Sequence, residues 1–252
     1  MATILMPLPK RDFDPTETGV PWRMLRERGH RIVFATPDGR PAEADPMMVT
    51  GKGLGVFASL LKADQHGRRC YDEMALCDGF RQPIRYDDIR VGDYDALLLP
   101  GGHAKGMRPY LESERLQAAV RAFFDEHKAV GAICHGVVLA ARARTGGGKS
   151  ILYGRKTTSL TKFMELSAWA LTALYLGNYY RTYPTTVEDE VRAALARPAD
   201  FITGPVALVR DGPDRPDAGF TVRDGNYLSA RWPGDAHRFA RDFASMVERP
   251  SL

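Results

Sequence analysis

Cysteine is scarce in this chain, three among 252 residues, and an odd number so small excludes a disulfide framework and leaves at least one thiol free. Long apolar runs are missing as well. No stretch reaches the roughly eighteen uncharged apolar residues that a membrane-spanning helix needs. The opening Met1 to Leu8 lacks the basic start, the long apolar segment and the small-residue cleavage site of a secretory leader. The expected location is therefore cytoplasmic, with no membrane partner. Neither sign of charge dominates: 35 Lys and Arg stand against 31 Asp and Glu. The arginines are scattered rather than gathered on one helix, so no nucleic-acid partner is expected. There is no low-complexity tract, linker or internal repeat, and one sizeable core over residues 1–252 is the default for an α/β chain of this length.

What is present is an alternation of two periodicities. Thr3 to Leu8, Arg31 to Ala35, Asp95 to Pro100 and Ala129 to Ile133 are short apolar runs bounded by Gly, Pro or charge, as in strands buried on both faces of a parallel sheet. Between them, helical patterns run from Val20 to Arg28, from Ser113 to His127 and from His135 to Arg144. The alternation predicts a doubly wound α/β fold with a mostly parallel sheet and helices on both faces. Residues 46–89 are too long for a plain connection and read as an insertion. Residues 160–200, helical and rich in aromatics from Lys162 to Arg197, read as a cap. Pro205 to Ala230 reads as short strands with turns at Asp211-Gly212 and Asp224-Gly225, followed by a last helix from Asp235 to Val247.

Three stretches carry candidate chemistry. In Gly131-Ala-Ile-Cys-His-Gly136, Cys134 falls between an apolar strand and a helix, with small residues, Ala132 and Gly136, two positions to either side. That spacing suits a nucleophile on a strained elbow, where the helix N-terminus favours thiolate over thiol; the alternative is a buried structural cysteine. In Leu99-Pro-Gly-Gly-His-Ala104, paired glycines allow a close backbone approach, so Gly102 and the N–H of His135 are candidates for an oxyanion hole, with Gly101 and His103 as substrate contacts. In Thr16-Glu-Thr-Gly-Val-Pro21, Glu17 is either a proton donor and acceptor for Cys134 or an ordinary acid of a first helical turn.

Other features point away from chemistry. Gly146-Gly-Gly-Lys-Ser150 lacks the first glycine of a phosphate loop, which falls on Ala143, and it follows a helix rather than a strand. Cys70 and Cys77 lie two turns apart on a helix and suit packing. Tyr175, Tyr179, Tyr180 and Tyr183 suit anchoring of the cap. No metal site is expected.

Together, the elbow at Cys134, Pro100 to Ala104, the Glu17 segment, a strand at Gly154 to Thr158 and Asp224 to Ser229 resemble the DJ-1/PfpI superfamily, the class I glutamine amidotransferase-like fold. The resemblance spans nearly the whole chain. It implies a flavodoxin-like core, a homodimer and no organic cofactor, and a range of activities: glyoxalase III-type enzymes, deglycases, peptidases or amidases, stress chaperones and redox sensors. Glutamine hydrolysis is not implied, because the late histidine, His237, is followed by Arg238 and Phe239 rather than by the His-x-Glu pair of the amidotransferases. An acid that completes a Cys-His-acid triad in many relatives is also missing, since Lys162 occupies its place. Glu165, Glu188 or Asp189 would replace it only if the fold brings one to His135.

The expectation is a cofactor-independent enzyme acting on small reactive carbonyls, in which Cys134 adds to an aldehyde, Glu17 shuttles the proton, His135 assists and Gly102 holds the oxyanion. The alternatives are a cysteine hydrolase of amide or peptide bonds, and a non-catalytic redox-sensing or chaperone protein in which Cys134 oxidises.

Overall fold

The computed structural model describes residues 1–206 and 209–249. The chain opens with β1 (Thr3–Pro7), apolar and buried from Ile4 onward, and the short β2 (Arg11–Phe13). Asp14 then caps α1 (Pro15–Glu27): its carboxylate accepts from the N–H groups of Thr16 and Glu17, and Pro15 stands where a missing N–H costs nothing. This start lies five residues before the expected Val20. Gly19 and Pro21 look like breakers in the sequence, but the cap at Asp14 and burial of the whole first half of α1 outweigh them.

β3 (Arg31–Thr36) follows, then β4 (Glu43–Ala44), which pairs with β2 in a separate two-stranded sheet. Next come α2 (Pro46–Thr50), α3 (Ala58–Leu61), α4 (Gln65–Leu76), α5 (Asp78–Arg81) and β5 (Ile84–Arg85). The chain continues through β6 (Ala96–Leu99), α6 (Arg108–Leu111), α7 (Glu114–Asp125), β7 (Ala129–Ile133) and α8 (Gly136–Arg142). It ends with α9 (Lys162–Leu176), α10 (Val187–Ala194), β8 (Thr221–Asp224), β9 (Tyr227–Ala230) and α11 (Ala236–Glu248).

The main sheet has the order β5-β3-β1-β6-β7-β9-β8, and every pairing is parallel except β8 with β9. All four residues of β6 are buried, because helices cover the sheet on both sides. One layer joins α1, α4 and α11, and Val20, Cys70 and Ala236 meet where the three cross. A second joins α7, α8 and α10. The fold is the flavodoxin-like, doubly wound α/β fold expected. Its strand order turns back between β1 and β6, the crevice where such sheets hold ligands.

Three readings of the sequence need correction. Residues 46–89 are not one insertion: α4 packs along α1 and β5 extends the sheet beyond β3, so this half belongs to the core. Only the part from Met48 to Leu61 joins the cap, in a cluster with Tyr180, Ala168 and Trp169. Gly154 to Thr158 is a turn and a single bridge, Thr157 to Phe201, because the hydroxyls of Ser229 and Tyr227 take up Thr158 N–H and Thr157 Oγ1 in place of a ladder. The expected strands from Pro205 begin only at Thr221, and positions 207 and 208 lie outside the described residues. The Asp224-Gly225 turn is present as the β8–β9 hairpin; Asp211 instead ties its segment to α11 through His237 and the N–H of Arg238.

At the sheet's C-terminal edge the backbone is pressed together. A Cβ on Gly136 would stand 2.1 Å from the carbonyl oxygen of Leu99, so α8 leaves β7 in contact with the end of β6. Gly136→Ala is expected to cost about 3 kcal/mol, the upper part of the overpacking range, or about 6–12 °C in Tm at this chain length. Gly92→Ala, where a Cβ meets nothing within 4 Å, is the control, and equal melting temperatures for the two variants would contradict the packing argument.

Candidate functional site

Cys134 is one of three non-glycine residues with positive φ among the described residues, at +56°. Its N–H donates to Ala230 O at 3.1 Å and its carbonyl accepts from Val137 N at 3.3 Å, so both neighbouring elements hold the strained turn. The side chain is 4% exposed.

Glu17, at the third position of α1, is fully buried. A glutamate at that position of a capping box usually reaches back to the N–H of the cap residue. Here the end of β6 intervenes: Gly101 donates its N–H to Glu17 Oε2 at 3.0 Å and accepts the Asp14 N–H on its carbonyl at 2.9 Å. A Cβ on Gly101 would strike Glu17 Oε2 at 2.7 Å. Since Oε2 accepts from Gly101, the carboxyl proton belongs on Oε1, which has no hydrogen-bond partner among the described residues, while the carboxyl as a whole interacts with the Cys134 thiol.

On the other side of the sulfur, His135 Nδ1 lies 3.5 Å from Cys134 Sγ, and Nε2 lies 3.0 Å from Thr182 Oγ1. Thr182 donates its one hydroxyl proton to the carbonyl of His103, so it accepts from His135. That assigns the imidazole proton to Nε2 and leaves the Nδ1 lone pair for the thiol. The Thr182 carbonyl is gripped by Arg108 at 2.9 and 2.6 Å. None of the expected third acids takes this place: Glu165 binds Val187 N and Arg181, Glu188 binds Lys162 N and Arg192, and Asp189 binds Lys162.

Burial dominates the electrostatics. It pushes Asp14 up to about 6, and it pushes Glu17 well above the usual carboxylate range with help from the Asp14 charge, which favours the protonated form of Glu17. Burial, then His103 and Arg142, lower His135 to about 3, in keeping with a neutral imidazole. The Cys134 thiol is also pushed up, first by burial and then by the charges of Glu17 and Asp14, against the pull of the His135 N–H. The depressed pKa expected from the helix N-terminus is therefore overturned: desolvation of an enclosed sulfur exceeds the dipole's effect.

Cys134 and Glu17 open into a cavity of about 230 Å³, also lined by Gly102, His103 and Tyr180. His103 stacks on Tyr180 with ring centres 4.3 Å apart, and its Nε2 is buried without a partner. Gly101, expected as a substrate contact, is absent from the lining because its N–H serves Glu17. Of the four tyrosines, Tyr179 bonds Asp45, Tyr175 bonds Leu54 O and Tyr183 bonds Glu112 and Arg142, as anchors do, while Tyr180 borders the cavity. Sequence reading missed Asp14, whose Asp-Pro-x-Glu pattern is a helix-start signal. It also missed Thr182, which no local pattern marks.

A doubly wound sheet that presents a cysteine on a left-handed strand-to-helix turn, beside a buried carboxyl from the first helix, defines a class of cysteine-elbow α/β proteins. Within that class, the profile described as ThiJ/PfpI family-like matches residues 8–205, and the chain belongs to this family and so to the DJ-1/PfpI superfamily. It is 25% identical over 241 residues to the deglycase PfpI of Pyrococcus furiosus, covering 96% of this chain and 97% of that one. It is 23% identical over 235 residues to the glutathione-independent glyoxalase of Schizosaccharomyces pombe, covering 92% and 87%. The crystal structure of glyoxalase III from Candida albicans superposes with a TM-score of 0.67 at 20% identity over 97% and 96% of the two chains.

The buried Glu17 makes stability depend on pH. Its folded pKa lies above the ordinary 4.5, so between the two values the folded state binds more protons than the unfolded state and stability falls as pH rises. Glu17→Gln removes this fall. Its stability relative to wild type, read as Tm across a pH series, is expected to climb as pH rises above about 4.5, by up to about 1.4 kcal/mol per pH unit. A gap moving the other way would mean an ionised, stabilised Glu17.

Proposed function

We propose that the protein is a cofactor-independent enzyme that converts small reactive carbonyl compounds, with Cys134 as nucleophile. The observation that carries the proposal is the grouping of Glu17 and His135 on Cys134, with Glu17 Oε2 fixed by the Gly101 N–H and His135 held through Thr182 by the His103 carbonyl. The deglycase and glyoxalase names of the relatives support it.

In the first step a bond forms between Cys134 Sγ and the carbonyl carbon while the C=O π bond breaks. The thiol proton leaves toward His135 Nδ1, and Glu17 Oε1–H protonates the new alkoxide, so a neutral hemithioacetal results. Because His135 is a weak base, the proton does not rest on it and returns to the emptied carboxylate. Gly102, on the cavity wall, offers its N–H to the carbonyl oxygen as charge develops. A carboxyl whose protonated form is favoured by burial serves as acid and then as base, which an ordinary exposed glutamate does not do at pH 7. Gly101 acts by positioning Glu17, and Thr182 by holding His135 in one tautomer.

Purified protein given methylglyoxal is expected to release lactate. Cys134→Ser should abolish this, and Glu17→Gln should slow it about 10²–10⁴-fold. Full activity in Cys134→Ser would end the proposal. Selective gain of two oxygens at Cys134 under mild peroxide, without turnover of any carbonyl or amide, would transfer the site to redox sensing.

The proposal includes the homodimer that the resemblance implies. Light scattering at micromolar concentration should give twice the chain mass of 28.0 kDa; the monomer mass would remove this part.

A further inference from the structure

The cavity has two unlike ends. Its floor carries Asp14, Glu17, Cys134 and the unpartnered His103 Nε2, whereas the cap supplies an apolar wall: Met48, Leu60, Leu61, Phe163, Met164 and Leu171. Several of these wall residues are strongly exposed, Phe163 at 68%, Leu60 at 58% and Leu171 at 42%. Apolar surface left wet beside a nucleophile is surface that a ligand gains by covering. The volume points the same way. At about 230 Å³ the cavity is larger than the roughly 150 Å³ apolar cavity that takes up benzene. Methylglyoxal, with a single methyl group, would engage the floor and leave most of the wall in water.

We propose that the preferred substrates are carbonyl compounds with an unbranched alkyl or aryl group of about six to eight carbons, sized from the cavity comparison, laid against α9 and α3 while the carbonyl meets Cys134. This rests on the reading of the site as carbonyl-converting, but it concerns the part of the pocket that does no chemistry. Phe163 and Leu171 set the preference: both lie on α9, and their exposed faces permit replacement without opening the core.

Two measurements separate this inference from the reaction itself. In Cys134→Ala, which forms no covalent adduct, isothermal titration calorimetry with alkyl methyl ketones of rising length should show Kd falling about threefold per added methylene up to about six. In the wild-type enzyme, kcat/KM should rise from methylglyoxal to phenylglyoxal and to the homologue carrying a hexyl chain. Phe163→Ser should lower the hexyl-to-methyl ratio of kcat/KM at least about tenfold, the share of one buried aromatic contact. Turnover of methylglyoxal with Kd and kcat/KM both flat in chain length would overturn the inference and leave the proposed function standing. Chain-dependent binding to Cys134→Ala with no turnover of any carbonyl would do the reverse, retaining the ligand class and removing the reaction.

Discussion

The peptide unit of Gly101 holds the site together. Its N–H fixes one oxygen of Glu17 and its carbonyl takes the N–H of Asp14, so the end of β6 is bonded from both sides to the start of α1. Those two elements lie on neighbouring strands, and Cys134 stands at the end of the next one, β7. With Oε2 committed, the carboxyl of Glu17 is held in one position beside the Cys134 thiol. A side chain at position 101 would push the carboxyl, the His135 N–H and the Ile133 carbonyl apart at once, and the positions of Glu17, Cys134 and the elbow would be lost together.

Enclosure then decides the protonation states. Water-excluded carboxyls at Asp14 and Glu17 are held up, the imidazole of His135 is held neutral and the thiol is held protonated. Burial favours the neutral forms of Glu17, Cys134 and His135, and the charge of Asp14 beside them pushes Glu17 and the thiol further the same way. Reactivity in such a site comes from ordered proton movement as a bond forms, rather than from a standing thiolate. Burial that raises the thiol also raises Glu17 well above the ordinary carboxylate range.

The cap is what makes that enclosure. Its return segment supplies Thr182, pinned by Arg108, and Tyr180, stacked on His103. The same segment thus orients the histidine and closes the cavity from above. Tyr183 is held under the guanidinium of Arg142, which also pairs with Glu190 of α10, so the cap is bolted to α8, the helix that follows Cys134.

Much of this was readable from the chain alone. Buried parallel strands are continuous apolar runs and covering helices are amphipathic, so β1, β3, β6, β7, α7 and α11 follow from periodicity. The elbow is local too: a left-handed residue between a strand and a helix demands small neighbours, and Ala132 and Gly136 display them. The start of α1 lies before the apolar pattern that begins at Val20, because the Asp14 cap and the burial of Thr16 to Gly19, rather than apolar periodicity, set its first turn. The division of residues 46–89 between core and cap escaped notice because α4 is amphipathic in either role, and only its packing on α1 decides. Thr182 carries no mark in the sequence, since its part depends on a hydroxyl meeting an imidazole from a distant segment. The protonation of Cys134 was likewise beyond the sequence: the helix dipole is written locally, but the desolvation that overrides it is set by how many separate elements close around one sulfur.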